Sequence, residues 1–264
     1  MVNNNKPGAY KVFNLLAFVG MVVVNALSSM LPINGITPGA VSDSYPNLFA
    51  PSGLTFSIWG VIYLLLAAFI LYQFGIFKGK SGYSIDTVKK VSVFFIISSL
   101  ANIAWIFSWH YRIIPLSMVL VVIILLCLIR INSVTYKAQL SKKDKFFLRL
   151  PFGIYFGWIT VATIANATTL LVSIGWNGFG IAEPVWMIVA LAAGLIIGIW
   201  TTLKHRHFVY GLVFLWAYLG ILLKHLEVFS SQYTEIIIAT IVSMALIVVA
   251  VVIAICKSCS QKSA

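Results

Sequence analysis

The sequence predicts an all-α fold, a polytopic bundle of about eight helices crossing a lipid bilayer. Composition comes first: of 264 residues, 61% are hydrophobic and 9% charged, where soluble domains carry about 25% charged residues. Mean hydropathy is +1.02, more apolar surface than the interior of a water-soluble fold of this length can hide. Next, apolar runs near the length of about 20 residues that a spanning helix needs recur along the whole chain. Finally, the basic residues fall in the short segments between those runs. A membrane-spanning sheet is excluded, because open strand edges cannot be left in hydrocarbon.

The first span is read at 12–31. Lys6 and Lys11 precede it, Asn25 interrupts it and Pro32 follows it. A cleaved signal peptide shares this pattern; the expected reading is a retained span. Segment 32–53 carries the turn signals Asn34-Gly35, Pro38-Gly39, Pro46-Asn47 and Pro51-Ser52-Gly53, with Asp43 as its only charge. It reads equally as a lid over a site or as a plain connector. The second, third and fourth spans follow at 54–76, 91–109 and 113–130, the last two joined by a connection so short that they form an antiparallel hairpin. The fifth span is 150–173, the sixth and seventh are 185–203 and 207–224 across another tight connection, and the eighth is 235–256. Residues 1–173 form one helical core and 174–264 add three helices to the same membrane domain.

With the N-terminus inside, the alternation places only Arg112 and Lys224 of the 18 basic residues on the outer side. Such a bias sets both termini in the cytoplasm and suits a plasma membrane. The same dispersal argues against nucleic acid as the partner of the net charge of +12; membrane lipid is the expected partner. Cys127, Cys256 and Cys259 have no metal-ligand spacing with histidine, so no metal site is expected. Cys256 and Cys259, at the inner end of the last helix, are candidates for palmitoylation.

Helical spacing gathers polar and aromatic side chains into stripes. Trp59 and Tyr63 share one face, as do Asn102, Trp105 and Trp109; Tyr155, Trp158, Ala162 and Asn166 form a third stripe. Amides in hydrocarbon must be satisfied, so Asn102 and Asn166 point into the bundle. Trp59, Tyr63, Asn102, Trp105, Tyr155, Trp158 and Asn166 are therefore the candidate ligand-binding residues: aromatic faces stack on planar molecules and amides orient them. The competing reading is packing between helices. Trp109, Trp176 and Trp186 read as an outer interfacial belt and Trp200 as an inner one. Asp86 and Asp144 are expected to be solvated, Glu183 to complement the dipole of the sixth helix, and Lys224 to pair with Glu227. No span centre carries an acid, base or histidine, which argues against a proton pump. There is no His-Glu-x-x-His, and Ser98, Ser99 and Ser117 lack a base nearby, so no enzyme activity is expected.

Three segments resemble a known family. Phe56-Ser57-Ile58-Trp59-Gly60-Val61-Ile62-Tyr63 after Pro51 resembles the Pro…Phe-x-x-Trp-x-x-x-Tyr signature of the tryptophan-rich sensory protein family, also called the translocator protein or peripheral benzodiazepine receptor family. Leu100-Ala101-Asn102-Ile103-Ala104-Trp105, with Trp109 four residues later, is similar to its Leu-x-Asn-x-x-Trp followed by an aromatic. Tyr155-Phe156-Gly157-Trp158, then Ala162-Thr163-Ile164-Ala165-Asn166, is similar to its Tyr-x-x-Trp…Ala-Thr-x-x-Asn. The resemblance implies a five-helix TspO-like core, a possible homodimer, and a hydrophobic planar ligand of the porphyrin, haem-type or sterol-like kind. Two features depart from it: three helices follow the fifth, and segment 32–53 has Tyr45, Pro46 and Phe49 where the family usually has paired Trp beside Pro. Three functions follow as expectations: a ligand-binding sensor or carrier, with the molecule entering between the first, second and fifth spans; a secondary transporter of a small uncharged or amphipathic solute; or a non-catalytic membrane scaffold.

Overall fold

The computed structural model describes residues 8–31, 33–77, 85–205 and 207–260. Eight of its helices are long and apolar enough to cross a membrane: α1 (Ala9–Met30), α2 (Ile58–Gln73), α3 (Ile85–His110), α4 (Ile114–Lys137), α5 (Leu150–Ser173), α6 (Glu183–Lys204), α7 (Phe208–Glu227) and α8 (Thr234–Ser260). Several helices outrun their spans. Helix α3 begins six residues before the expected 91 and takes in Asp86, Lys89 and Lys90, because helical hydrogen bonding continues where the apolar run ends. The opposite holds before α2, where Gly53–Ser57 is a 3₁₀ turn rather than α-helix.

Long-range contacts assign the connections to two ends. At one end, Asn34 Nδ2 donates to the carbonyl of His110 at 3.1 Å, tying the α1–α2 segment to the α3–α4 turn. At the other, Tyr72 Oη donates to Asp144 Oδ1 at 2.9 Å and the rings of Tyr136 and His205 meet at 5.0 Å. We call these the lid end and the basic end. Lys137, Lys142, Lys143, Lys145, Arg149 and Lys204 all sit at the basic end; Lys6, Lys78, Lys80, Arg206 and Lys262 lie outside the described residues. Asp144 corrects an expectation: it is buried rather than solvated. Ser141 and Asp144 form a reciprocal capping box at the start of Lys142–Asp144, and Tyr72 takes the remaining carboxylate oxygen, so the charge is compensated where it is buried.

Helices α1, α3, α4, α5 and α2 pack in that order into a closed ring, while α6, α7 and α8 pack on one another and join the ring through α5 and α7. Helix α1 turns Asn14, Ala17, Met21, Asn25 and Ser28 inward, a stripe at i, i+3, i+7, i+11 and i+14 spacing; Leu16 on its other face is 62% exposed and so faces lipid. Gly194 and Gly198 of α6 face Tyr218 and Phe214 of α7 within the chain.

One layer of the ring is dry. Phe69, Phe95 and Phe152, from α2, α3 and α5, are fully buried and meet edge to face at 5.7, 5.0 and 5.7 Å. On its basic side lies a small polar cluster, in which Asn14 Nδ2 donates to Gln73 Oε1 at 2.6 Å and to Ser92 Oγ at 2.7 Å. The three rings lie between that cluster and the lid side.

Candidate functional site

Above the phenylalanine layer the ring holds a partly open cavity of about 390 Å³, walled by α1, α2, α3 and α5 and covered by segment 37–53. The volume is in the range of roughly 300–1,000 Å³ typical of small-molecule sites. Segment 37–53 is the cover because it is fastened from several sides. Thr37 caps the short helix Pro38–Asp43, and Trp109 Nε1 donates to the carbonyl of Pro38 at 3.1 Å. Asn47 Oδ1 accepts from the amides of Phe49 and Ala50 at 3.1 and 2.9 Å and from Thr168 Oγ1 at 3.3 Å. From α7, Trp216 Nε1 donates to the carbonyl of Thr55 at 2.9 Å, and the carbonyl of Gly220 accepts from Ser52 N at 3.0 Å. His225 Nε2 lies 3.0 Å from the carbonyl of Leu48. Lys224 pairs with Asp43 at 3.2 Å, which corrects the expected pair with Glu227; the folded-back cover brings a carboxylate from far along the chain.

Trp59 is the hub of the wall. Its ring is stacked on Tyr63 at 5.5 Å and lies 6.4 Å from Trp105, 5.8 Å from Tyr155 and 6.4 Å from Trp158. The spacing that put Trp59 and Tyr63 on one helix face thus becomes a continuous aromatic surface. Trp105 stacks in turn on Trp109 at 5.9 Å. Trp109 is only 6% exposed and borders the cavity, so it is not an interfacial belt residue. The belt reading failed because the cover packs over this end of α3.

Of the seven expected residues, Trp59, Tyr63, Trp105, Trp158 and Asn166 line the cavity. Asn102 and Tyr155 lie behind the wall: Asn25 Nδ2 donates to Asn102 Oδ1 at 2.7 Å, and Asn102 Nδ2 reaches Tyr155 Oη at 3.4 Å. Asn166 spends its amide on Ser117 Oγ of α4 at 2.9 Å. Asn25 and Phe56 are among the lining residues that the expected set lacked. Asn25 looked like an interruption of the first span, although its distance of 11 residues from Asn14 puts both on one helix face. Phe56 meets Trp158 edge to face at 5.9 Å, and only the motif around it marked it.

The polar character of the wall is one-sided. Tyr63 Oη, Trp105 Nε1 and Trp158 Nε1 are buried and have no hydrogen-bond partner among the described residues. All three residues border the same cavity, and among the described residues no acidic, basic or histidine side chain does. The site therefore offers flat aromatic faces in an uncharged surround, with three unpartnered donors buried in the residues that form its wall. Flat aromatic faces of this kind suit the ring of a porphyrin, and the donors beside them would meet its carboxylates only where the side chains turn toward the cavity. Among the described residues no histidine, cysteine or methionine lines the cavity to serve as an axial ligand to a porphyrin metal.

A family model described as TSPO-like protein matches residues 11–254. The match runs through α6, α7 and most of α8, so it extends over the three helices beyond the expected five. No curated protein and no solved structure matches the chain.

Proposed function

The chain belongs to the TSPO-like protein family, an integral membrane protein with eight candidate spans, and from that premise we propose that it binds a hydrophobic, planar small molecule bearing hydrogen-bond acceptors, as a sensor or carrier. The observation that carries this reading is the set of three orphaned donors at Tyr63, Trp105 and Trp158. A buried donor without a partner costs about 1–3 kcal/mol, and such exceptions to local consistency concentrate at functional sites. A tetrapyrrole answers both the stacking surface and the donors. A sterol-like compound answers the apolar volume but has no flat π face. The buried phenylalanine contacts on the basic side of the cavity favour binding over conduction. The bias of basic residues supports a plasma-membrane orientation with that end in the cytoplasm.

In the mechanism of binding, Trp59, Tyr63 and Trp105 provide the face on which the ligand lies. Trp158 approaches Trp59 edge-on at 87° and closes one side. Turned toward the cavity, the indole N–H groups would meet the ligand's acceptors, and the cover over this partly open cavity limits water there, which strengthens those bonds. The test is a titration of the purified protein with protoporphyrin, following both the porphyrin absorption band and tryptophan fluorescence. Saturable binding that weakens in Trp59→Phe and in Trp158→Phe is the expected result. A linear, unsaturable signal identical in parent and variants is partition into detergent and refutes the reading.

A further inference from the structure

We infer that the chain holds a second binding site, for a bilayer lipid with an ammonium headgroup, in the cleft between α5 and α6 at the lid end. Helices α5 and α6 are consecutive, yet α6 packs chiefly on α7 and α8. The gap left beside α5 is a cleft of about 640 Å³. It lies on the other side of α5 from the lid cavity. Ile164, Ala167, Thr168 and Leu171 border the cleft, whereas Ala162, Ala165, Asn166 and Thr169 border the cavity.

Two halves of the cleft differ in chemistry. Its deeper part is apolar, with Ala167, Ala190 and Ala193 leaving room between larger neighbours such as Leu171 and Met187. Val172 and Val189 on its rim are 39% and 50% exposed, so the trough is open on the outward side of the bundle. An acyl chain is the material at hand to fill it. Its mouth is an aromatic corner beside a carboxylate. The rings of Trp176 and Trp186 stand 4.9 Å apart at 61°. Trp186 is held by its Nε1 bond to the carbonyl of Gly178 at 3.0 Å, and Gly178, at φ +63°, lets the turn pass close under that indole. Phe179 meets Trp176 edge to face at 5.5 Å. Glu183 borders the cleft one helical turn before Trp186, and no ion pair to it forms among the described residues.

Indole faces attract ammonium cations through the ring quadrupole, and a carboxylate alongside completes charge complementarity. Negative headgroups are disfavoured at the same place. The apolar trough and the anionic, aromatic mouth are spaced as an amphiphile is: chain below, cation above. This also gives Trp176 and Trp186 more to do than mark an interface.

The experiment uses the full chain in lipid nanodiscs containing equal phosphatidylethanolamine and phosphatidylglycerol. In each of two arms, one of these lipids carries a diazirine in an otherwise identical acyl chain, and crosslinked peptides are mapped by mass spectrometry. The phosphatidylethanolamine probe is expected to label residues 164–193 several-fold more than the phosphatidylglycerol probe. Glu183→Gln should abolish that preference while leaving labelling elsewhere unchanged. Trp186→Leu should reduce it as well; if that variant fails to fold, Trp186→Phe keeps an aromatic face without the Gly178 bond and should retain the preference. Equal labelling by both headgroups, a preference untouched by Glu183→Gln, or adducts spread evenly over all lipid-facing helices would each overturn the assignment. None of these outcomes depends on whether the lid cavity binds a ligand.

Discussion

Replacing Trp105 and Trp158 together by phenylalanine is expected to leave the ligand-free protein as thermally stable as the parent, or more so, and to weaken porphyrin binding by roughly tenfold to hundredfold. Both indole N–H groups are buried without partners, so removing them relieves a desolvation cost of about 1–3 kcal/mol each. The ring volume lost borders an open cavity, where collapse is easier than in a packed core. With ligand present the balance reverses, because two hydrogen bonds worth about 0.5–1.5 kcal/mol each are forfeited, and every 1.4 kcal/mol is about tenfold in affinity. Thermal midpoints with and without porphyrin check the pair. A core role for the two indoles predicts the opposite pattern: a large loss of stability and unchanged affinity in the variants that still fold.

Gly220→Leu is expected to cost about 1–3 kcal/mol, as overpacking does, and to speed ligand release. A Cβ at Gly220 would overlap the side chain of Thr55, and the Gly220 carbonyl accepts from Ser52. No larger residue fits while α7 and the Gly53–Ser57 turn stay in contact. The turn leads directly into Trp59, so displacing it disturbs both the cover and the hub of the wall. Helix α7 thus gives the C-terminal helices a specific task, holding the cover through Trp216, Gly220, Lys224 and His225. The exposed Lys224–Asp43 pair is the least of these, since surface ion pairs contribute about 0–1 kcal/mol. Gly220→Ala should be milder, and adding Thr55→Ala should recover part of its loss, because the hydroxyl is the nearest obstruction. Parent-like midpoints and release rates in Gly220→Leu would contradict the clasp.

The spans were legible because hydrocarbon imposes one rule over about 20 residues at a time, and because charge sorting checks the count independently. Helix ends were less legible, as α3 shows, since apolarity stops at the membrane while the helix does not. The aromatic wall was legible wherever both partners lie on one helix, as with Trp59 and Tyr63 or Trp105 and Trp109. The pairing of Asn25 with Asn102, 77 residues apart, and of Lys224 with Asp43, 181 apart, carries no periodic signal. The same is true of the cover: segment 32–53 has turn residues but no pattern that says where it folds back. That fold-back covers Trp109 and makes one cavity from three separate stripes. Asp144 was misjudged for a related reason, because its buried partner Tyr72 comes from another helix.

The most direct measurement is to locate a zinc porphyrin in the complex by anomalous scattering from its metal. The account predicts one strong peak on the lid side of Phe69, Phe95 and Phe152, between α1, α2, α3 and α5, with the macrocycle against Trp59 and Trp105 and its acceptors toward Trp158 and Tyr63. A saturated complex whose peaks lie only on the lipid-facing surface of the helices, or only in the cleft between α5 and α6, would contradict it.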